Sequence, residues 1–355
     1  NGSNPNPGLL FHHLIRLGHR LVDRADHVEG LLGQIVVLTL QDLLETPHER
    51  SLLEHYATGQ LARIDVGGGD LTEIGEPALI DDVDPSPDGS HAVVSTLQRP
   101  FPKIVPVYRF SRLEEIWNGD GRVRAEVEER PVRDGADDDG DEDRRREVAW
   151  RPDGEGLGFL QRDPASKEDV NGDDVEPGGE SEGASGERTD RVMRWLPPFD
   201  SASLEVVHES EGQLSDLAYS ADGETLFLTE DLPDLDKERT VAVYPDRDTV
   251  HVVASHDPND PYDDPGDLVT LPARPDAPVV RVSPDGGAVY LNGTVFSENP
   301  LKEAPRPFLD RVEITTGQTT RLFESSADAY EQVVEVLDDD ARRLLLSRET
   351  SDDVP

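Results

Sequence analysis

The chain has 355 residues, of which 35% are apolar and 5% aromatic, so it can bury one large core or two smaller ones. Its 76 acidic residues against 34 basic ones give a formal charge of -42, which disfavours a nucleic-acid partner because phosphate contacts need a basic face. The absence of cysteine excludes disulfides, Cys-ligated zinc and a cysteine nucleophile.

The basic residues are mostly arginine. Lysine occurs only at Lys103, Lys167, Lys237 and Lys302, so 30 of the 34 cations are arginine (34 minus 4). A large acid excess with few lysines is typical of proteins from salt-rich cytoplasm, where surface carboxylates hold water and cations and salt screens their repulsion. The composition therefore predicts a halophilic, acidic protein, and the alternative is a surface for one basic protein partner.

No apolar run approaches the roughly 20 residues of a membrane helix. The first residues lack a basic stretch followed by an apolar one, the usual form of a secretory signal. We therefore expect a cytoplasmic protein without a membrane partner.

Residues 1–38 differ in composition from the rest of the chain. Three arginines balance three acids, and four of the ten histidines lie here. This segment is either an amphipathic helix or a stretch not native to the fold, and we favour the second interpretation. The next segment, residues 39–60, has the clearest helical periodicity in the chain, interrupted by Pro47.

From residue 39 to residue 355 the chain reads as one all-β domain. Five phrases recur in which an apolar strand, a turn containing Asp, usually with Gly, and a second alternating strand follow one another. Their turn aspartates are Asp88, Asp153, Asp222, Asp285 and Asp339, at intervals of 65, 69, 63 and 54 residues. These intervals suit blades of about 40 to 50 residues with inserted loops. We predict an open or incomplete β-propeller of four-stranded blades, with a β-sandwich as the alternative.

Two segments, residues 134–145 and 165–190, are rich in Gly, Ser and acids and are predicted to be flexible loops. The acidic runs at 137–143 and 257–267 do not have the spacing of a calcium loop. We therefore expect neither a metal nor a cofactor. Trp117, Trp150 and Trp195 lie in strand-like contexts, which predicts that they pack in the blades and do not form a ligand cage.

Several phrases together resemble a known family. The first three are TLQDLLETPHERSLLEHYATGQLARID, EIGEPALIDDVDPSPD and QRPFPKIVPVYRFSRLEEIWNGDG, and DPYDDPG, YLNG and PFLDRVEITTGQTTRLFESSADAYEQVV follow in the same order. From about residue 39 to the end, the chain resembles the propeller of the glutamyl-endopeptidase-like branch of the prolyl oligopeptidase (S9) serine peptidases. This resemblance implies a catalytic α/β-hydrolase domain after the propeller.

We expect no catalytic residue within this chain, and therefore a truncated peptidase that is inactive alone. A serine nucleophile of that fold needs G-x-S-x-G between a strand and a helix, followed by an acid and a histidine. The sequence offers no such context, since the string GASGE at 183–187 lies in an acidic run and lacks the last glycine. His208, His251 and His256 are interpreted as surface or strand histidines.

Residues 91–110, HAVVSTLQRPFPKIVPVYRF, contain three cations and no acid. By the resemblance, this stretch crosses between strands of a blade. Arg99 or Arg109 is a candidate contact for a carboxylate of an acidic peptide, because a guanidinium matches a carboxylate in two hydrogen bonds. The alternative, which we favour, is that each arginine binds a neighbouring acid or carbonyl while the apolar residues pack in the core.

Two functions follow from these observations. The first is the propeller portion of an S9 serine peptidase, which limits the access of peptides to a hydrolase domain absent from this chain. The second is a propeller that acts alone and binds or scaffolds a protein partner.

Overall fold

The computed structural model divides the chain into two compact units. Unit 1 is Asn1–Arg144 with Pro197–Ser203, and unit 2 is Arg145–Leu196 with Leu204–Pro355. The residues whose structure is described are 44, 46–103, 105–133, 144–163, 188–210, 212–271, 279–297, 299 and 302–350. The predicted segment 1–38 and most of the two predicted acidic loops lie outside them.

Unit 1 contains a helix, a two-stranded sheet and a four-stranded sheet. The described elements are α1 (Pro47–Ala57), β1 (Gly59–Ile64), β2 (Leu71–Ala78), β3 (Ile80–Pro85), β4 (His91–Leu97), β5 (Arg112–Asn118) and β6 (Val123–Arg130). Strands β1 and β2 pair with each other, and β3 to β6 form an antiparallel sheet in chain order.

Helix α1 begins at Pro47, so the expectation that this proline interrupts a helix is wrong. Thr46 caps the helix: its Oγ1 accepts a hydrogen bond from the Glu49 amide at 3.2 Å, and Glu49 Oε2 accepts one from the Thr46 amide at 2.7 Å. Proline fits the first helical position because the missing N–H has no partner there in any helix.

Unit 2 contains sixteen described strands. They are β7 (Arg146–Trp150), β8 (Leu157–Arg162), β9 (Asp190–Trp195), β10 (Leu204–Ser210), β11 (Gln213–Tyr219), β12 (Leu226–Leu232), β13 (Lys237–Tyr244), β14 (Thr249–His256), β15 (Asp267–Leu268), β16 (Thr270–Leu271), β17 (Val279–Val280), β18 (Ala288–Val295), β19 (Arg306–Glu313), β20 (Thr319–Glu324), β21 (Tyr330–Val336) and β22 (Leu344–Glu349).

These strands form blade-like sheets. Strands β7 to β10 make one antiparallel sheet in chain order, and β11 to β14 make the next, with β17 and β16 added beside β11. Strands β15, β18, β19 and β20 form a third sheet, and β21 and β22 pair as a hairpin. Four antiparallel strands in chain order are the meander of a propeller blade. The predicted all-β propeller class is confirmed, although the fifth phrase contributes only two strands among the described residues.

The core of unit 2 lies between these sheets. On strand β12, Leu226 and Leu228 pack into a cluster with Leu160 of β8, and Phe227 packs on the opposite face with Val289 of β18. A central strand buried on both faces is expected where sheets stack face to face. The three tryptophans are buried on β5, β7 and β9, which confirms that they pack within the blades.

Three of the predicted Asp-Gly corners, those of Asp88, Asp222 and Asp285, form through one repeated set of contacts. Between β11 and β12, Asp222 Oδ1 accepts hydrogen bonds from the Ser220 hydroxyl at 2.5 Å and the Glu224 amide at 3.1 Å. Gly223 follows with a φ of 72°, a conformation that favours glycine. Asp88 and Asp285 make the same pair of contacts in their own corners.

The fifth corner differs from the prediction that Asp339 is its turn aspartate. Asp338 makes the turn contact instead, since its Oδ1 accepts a hydrogen bond from the Arg342 amide at 2.7 Å. Asp339 binds the neighbouring sheet, where its Oδ1 accepts a hydrogen bond from Arg281 at 2.8 Å and its carbonyl one from the Tyr290 hydroxyl at 2.7 Å. Three consecutive aspartates made the assignment ambiguous in the sequence.

Candidate functional site

The acid-free stretch 91–110 consists of β4 and the segment after it, and in that segment the buried side chains are apolar. Phe101, Val105 and Phe110 are buried in one cluster with Leu44, and the two phenylalanine rings stack with centroids 5.8 Å apart. Lys103 is exposed. The predicted core packing of apolar residues in this stretch is thus confirmed for Phe101, Val105 and Phe110, whereas Lys103 and Tyr108 are exposed.

Arg99 lies on the surface and forms an ion pair with Glu54 of helix α1. Its side chain is 72% exposed. Such a pair contributes little to stability because water screens it. This contact agrees with the interpretation in which the arginine binds a neighbouring acid.

Arg109 ends a single 3-10 turn formed by Val107–Arg109. Its guanidinium carbon lies 6.0 Å from the centroid of the Tyr108 ring. Among the described residues, no Asp or Glu lies within ion-pair distance of this guanidinium. Of the two sequence-predicted arginines, only Arg99 forms an ion pair within the described residues, and the predicted peptide contact of Arg109 stays a prediction.

A buried ion pair in unit 2 was missed by the sequence analysis. Asp190 was placed at the end of a predicted flexible loop, but it begins β9 and is fully buried. Its carboxylate accepts two hydrogen bonds from Arg146 Nη2, at 2.6 and 2.7 Å, and one from the Leu214 amide at 3.0 Å. Arg146 Nη1 also donates to the Leu214 carbonyl at 2.6 Å. Through these hydrogen bonds to the Leu214 backbone, Arg146 and Asp190 connect sheet β7–β10 to strand β11.

A second buried polar cluster resembles a serine-histidine-acid arrangement but differs in its bonding. The Ser210 hydroxyl donates to Glu230 Oε1 at 2.8 Å, and Arg239 Nε donates to Glu230 Oε2 at 2.5 Å. His208 Nε2 lies 3.9 Å from Glu230 Oε1. Since the hydroxyl donates to the acid and not to the histidine, no base is positioned to activate it. The cluster joins β10 to β12.

The cluster also sets the ionisation of Glu230. Burial raises the pKa of this carboxyl, but the contacts with His208, Ser210 and Arg239 outweigh burial and hold the pKa at about 2. A lowered pKa stabilises the fold above the ordinary value of the group, and this contribution is lost as pH falls towards the folded value.

We expect Glu230→Gln to destabilise unit 2 by about 1 to 3 kcal/mol at neutral pH, because Arg239 and Ser210 lose a charged partner. The difference from the wild type should shrink as pH falls from about 4.5 to 2, where the wild-type carboxyl also becomes neutral. Urea denaturation across this range in concentrated KCl measures it. The matched control is Glu209→Gln. It removes a mostly exposed acid of β10 that pairs with Arg191 of the adjacent strand β9. A difference for Glu230→Gln that does not change with pH would contradict the assignment.

The expectation that the sequence contains no G-x-S-x-G pattern is wrong. Residues 179–183 read GESEG and match it; this string begins four residues before GASGE and shares Gly183 with it. Both strings lie outside the described residues. Of the other histidines, His251 packs edge-on against Tyr244 with ring centroids 5.9 Å apart, and His256 lies 3.8 Å from Glu238. These contacts agree with ordinary strand histidines.

Unit 2 also contains a partly open pocket that the sequence did not reveal. It has a volume of about 320 Å³ and lies where sheet β7–β10 meets sheet β11–β14. Its polar lining residues include Arg151, Arg194 and Tyr219. They are far apart in the chain, and no local motif connects them.

Within the described ranges, no three His, Asp or Glu side chains converge as a metal site would require. No helix of the described part of the chain has the length and apolar character needed to cross a membrane.

Comparisons with known proteins show what the chain is similar to. No family model matches the chain. A probable chloroplastic glutamyl endopeptidase of Oryza sativa subsp. japonica is 27% identical over 312 residues, which are 85% of this chain and 31% of that protein. Its namesake in Arabidopsis thaliana is 27% identical over 317 residues, or 86% of this chain and 31% of that protein. Over most of its length, the chain is similar to these probable glutamyl endopeptidases.

The resemblance to glutamyl endopeptidases that the sequence phrases indicated is therefore confirmed. The chain spans about a third of the length of these curated glutamyl endopeptidases. Among solved structures, the β-propeller domain of the Trilobed protease from Pyrococcus furiosus matches with 13% identity and a TM-score of 0.38, covering 77% of this chain and 64% of that one.

Proposed function

We propose that this chain supplies the propeller portion of an S9-type serine peptidase and that the propeller limits which peptides reach a hydrolase domain. The observation that carries the proposal is the 27% identity to glutamyl endopeptidases along 85% of the chain. The blade-like sheets support it, because four-stranded antiparallel sheets are the repeating unit of propellers, which have a central channel. The 355 residues by themselves do not hydrolyse peptides in this proposal.

The test uses the complete polypeptide that contains these residues. A fluorogenic peptide with one glutamate should be cleaved rapidly, and the same bond placed inside a folded domain should resist cleavage. The 355-residue chain alone should give no turnover. Equal cleavage of peptide and folded domain would contradict the gating role. Hydrolysis by the chain alone, blocked by a serine-directed reagent, would contradict its inactivity. A complete polypeptide without peptidase activity would favour the second function, a propeller that binds a protein partner.

Within this proposal, Arg109 binds a carboxylate of the peptide. Its guanidinium has no acidic partner among the described residues, whereas Arg99 already binds Glu54. In the complete polypeptide, Arg109→Gln should raise KM for a glutamate-containing peptide by about tenfold, because one charge-assisted hydrogen bond is lost. KM for the glutamine analogue should stay the same.

The matched control for this variant is Arg122→Gln, which removes the same charge from the exposed turn between β5 and β6. It should leave KM for both peptides unchanged. If Arg109→Gln changed KM for both peptides equally, a general electrostatic effect would replace the specific contact.

A further inference from the structure

The pocket between sheets β7–β10 and β11–β14 contains two groups of polar side chains. The first group, the donor floor, consists of Arg151, Arg194 and Tyr219, which are largely withdrawn from solvent. The second group, the acidic rim, consists of exposed carboxylates at the pocket opening, Glu155, Asp222, Glu224 and Asp246. At about 320 Å³ the pocket lies at the lower end of the range for ligand sites.

The hydroxyl of Tyr219 is the most informative atom of the donor floor. Tyr219 is only 2% exposed, yet its hydroxyl makes no hydrogen bond to any described residue. A Cβ atom added at Gly158 of β8 would lie 1.7 Å from this oxygen, so glycine makes room for it. Burial raises the pKa of Tyr219, which keeps the hydroxyl protonated as a donor. The hydroxyl does not belong to the polar atoms that are fully enclosed without a partner, and Tyr219 lines the pocket, so this donor is open to the pocket and can donate to a bound ligand or to water.

Tyr290 is a comparable tyrosine whose hydroxyl has a hydrogen-bond partner within the fold. It is buried to the same degree, but its hydroxyl donates to the Asp339 carbonyl at 2.7 Å. The difference between the two tyrosines is therefore one of partners and not of burial.

Arg194 provides a second unused donor in the donor floor. Its Nη2 donates to Glu205 Oε2 at 2.9 Å, while its Nε is buried and has no hydrogen-bond partner. Arg151, by contrast, is paired with Asp153, to which its Nε donates at 3.1 Å. The unused donors at the base of the pocket thus suit an oxygen acceptor with negative charge, such as a carboxylate.

The acidic rim determines which charge the ligand carries at its other end. Four carboxylates around the opening repel a simple anion, whereas the donors of the donor floor, Tyr219 Oη and Arg194 Nε, offer hydrogen bonds that an anionic oxygen accepts and a simple cation does not. A molecule that carries both charges satisfies both ends. We propose that this pocket binds a small zwitterion of α-amino-acid size, with its carboxylate at Tyr219 and Arg194 and its ammonium group at the acidic rim. This site is independent of the peptidase function proposed above.

The test uses three probes of nearly equal shape on the 355-residue chain in concentrated KCl. L-alanine carries both charges, propionate carries only the carboxylate, and ethylamine carries only the ammonium group. Titration by calorimetry, with saturation-transfer NMR for weak binding, should show that L-alanine binds and that each half-probe binds at least about tenfold more weakly. No binding of L-alanine, or propionate binding as tightly as L-alanine, would overturn the proposal.

Two variants locate the ligand. Tyr219→Phe removes the hydroxyl and keeps the ring over Gly158, so it should weaken L-alanine binding by about tenfold or more. Tyr290→Phe is the matched control, because it removes a buried hydroxyl outside the pocket and should leave the affinity unchanged. An unchanged affinity in Tyr219→Phe would overturn the proposal.

The acidic rim offers a variant at exposed positions, where folding is not at risk. Glu224→Gln combined with Asp246→Asn should weaken the binding of L-alanine and not that of propionate. The same loss for both probes would show that the rim does not bind an ammonium group and would overturn that half of the proposal.

Discussion

Asp190→Ala is expected to destabilise unit 2 by about 3 to 5 kcal/mol, the cost of leaving one member of a buried ion pair without its partner. Asp190 is fully buried and accepts hydrogen bonds from Arg146 and from the Leu214 amide. Its loss leaves the Arg146 guanidinium with the Leu214 carbonyl as a partner and frees the Leu214 amide. The free energy of unfolding from urea denaturation in concentrated KCl measures the change.

The control for this prediction lies in the same part of unit 2. Asp163 pairs with Arg191, and each side chain is 32% exposed. Asp163→Ala should therefore cost about 1 kcal/mol or less, because partly exposed pairs are screened by water. If the two substitutions lowered the free energy of unfolding equally, the burial of Asp190 would not increase the contribution of its ion pair to stability.

A double substitution separates the ion pair from the packing around it. Arg146→Met with Asp190→Leu removes both charges and keeps apolar volume. It should recover most of the stability lost in Asp190→Ala, because replacing a buried ion pair by apolar side chains is often neutral. If the double variant is as unstable as Asp190→Ala, the backbone contacts of Leu214 are the main contribution.

The corners between strands were predictable because their contacts are local. In the corner of Asp222, the carboxylate, the Ser220 hydroxyl and the Glu224 amide lie within five residues, so the order of residue types already specifies the hydrogen bonds. The assignment of the fifth corner to Asp339 was wrong because three consecutive aspartates offer equivalent local contacts, so the local sequence does not distinguish between them.

Contacts between sheets were not predictable in this way. Asp190 follows a long acidic run, and nothing in its immediate neighbours distinguishes it from solvated acids. The apolar residues Val192 and Trp195, which follow within five positions, did indicate a strand in the sequence, and both are buried in the structure. The partner Arg146 is 44 residues away, so the ion pair becomes evident only when the sheet is formed.

The pocket is the clearest case of a feature that arises from tertiary structure. Tyr219 ends β11 and reaches over Gly158 of the neighbouring sheet, and Arg194 lies opposite Gly158 on β9. Each residue has an ordinary strand context in the sequence. Their shared environment depends on how two sheets stack, which local patterns do not encode.

The fold is expected to depend on salt. We expect the far-UV circular dichroism of the chain to lose β-sheet signal below about 0.5 M KCl, where a charge of -42 is less completely screened. The described structure explains where repulsion remains: Asp190 and Glu230 are neutralised by arginines, whereas exposed acids such as Asp263 and Asp264 have no arginine paired with them among the described residues. Circular dichroism during stepwise dilution of KCl measures the midpoint.

A set of charge-removing substitutions tests whether these exposed acids are the cause. Asp257, Asp260, Asp263 and Asp264 lie between β14 and β15, and each is exposed or partly exposed. Replacing Asp263 and Asp264 by Asn should lower the KCl midpoint, because fewer charges repel one another. Restoring the fold with choline chloride as well as with KCl would show that screening is sufficient. An unchanged spectrum of the wild type in dilute buffer would overturn the salt requirement, and the acid excess would then need a basic partner as its explanation.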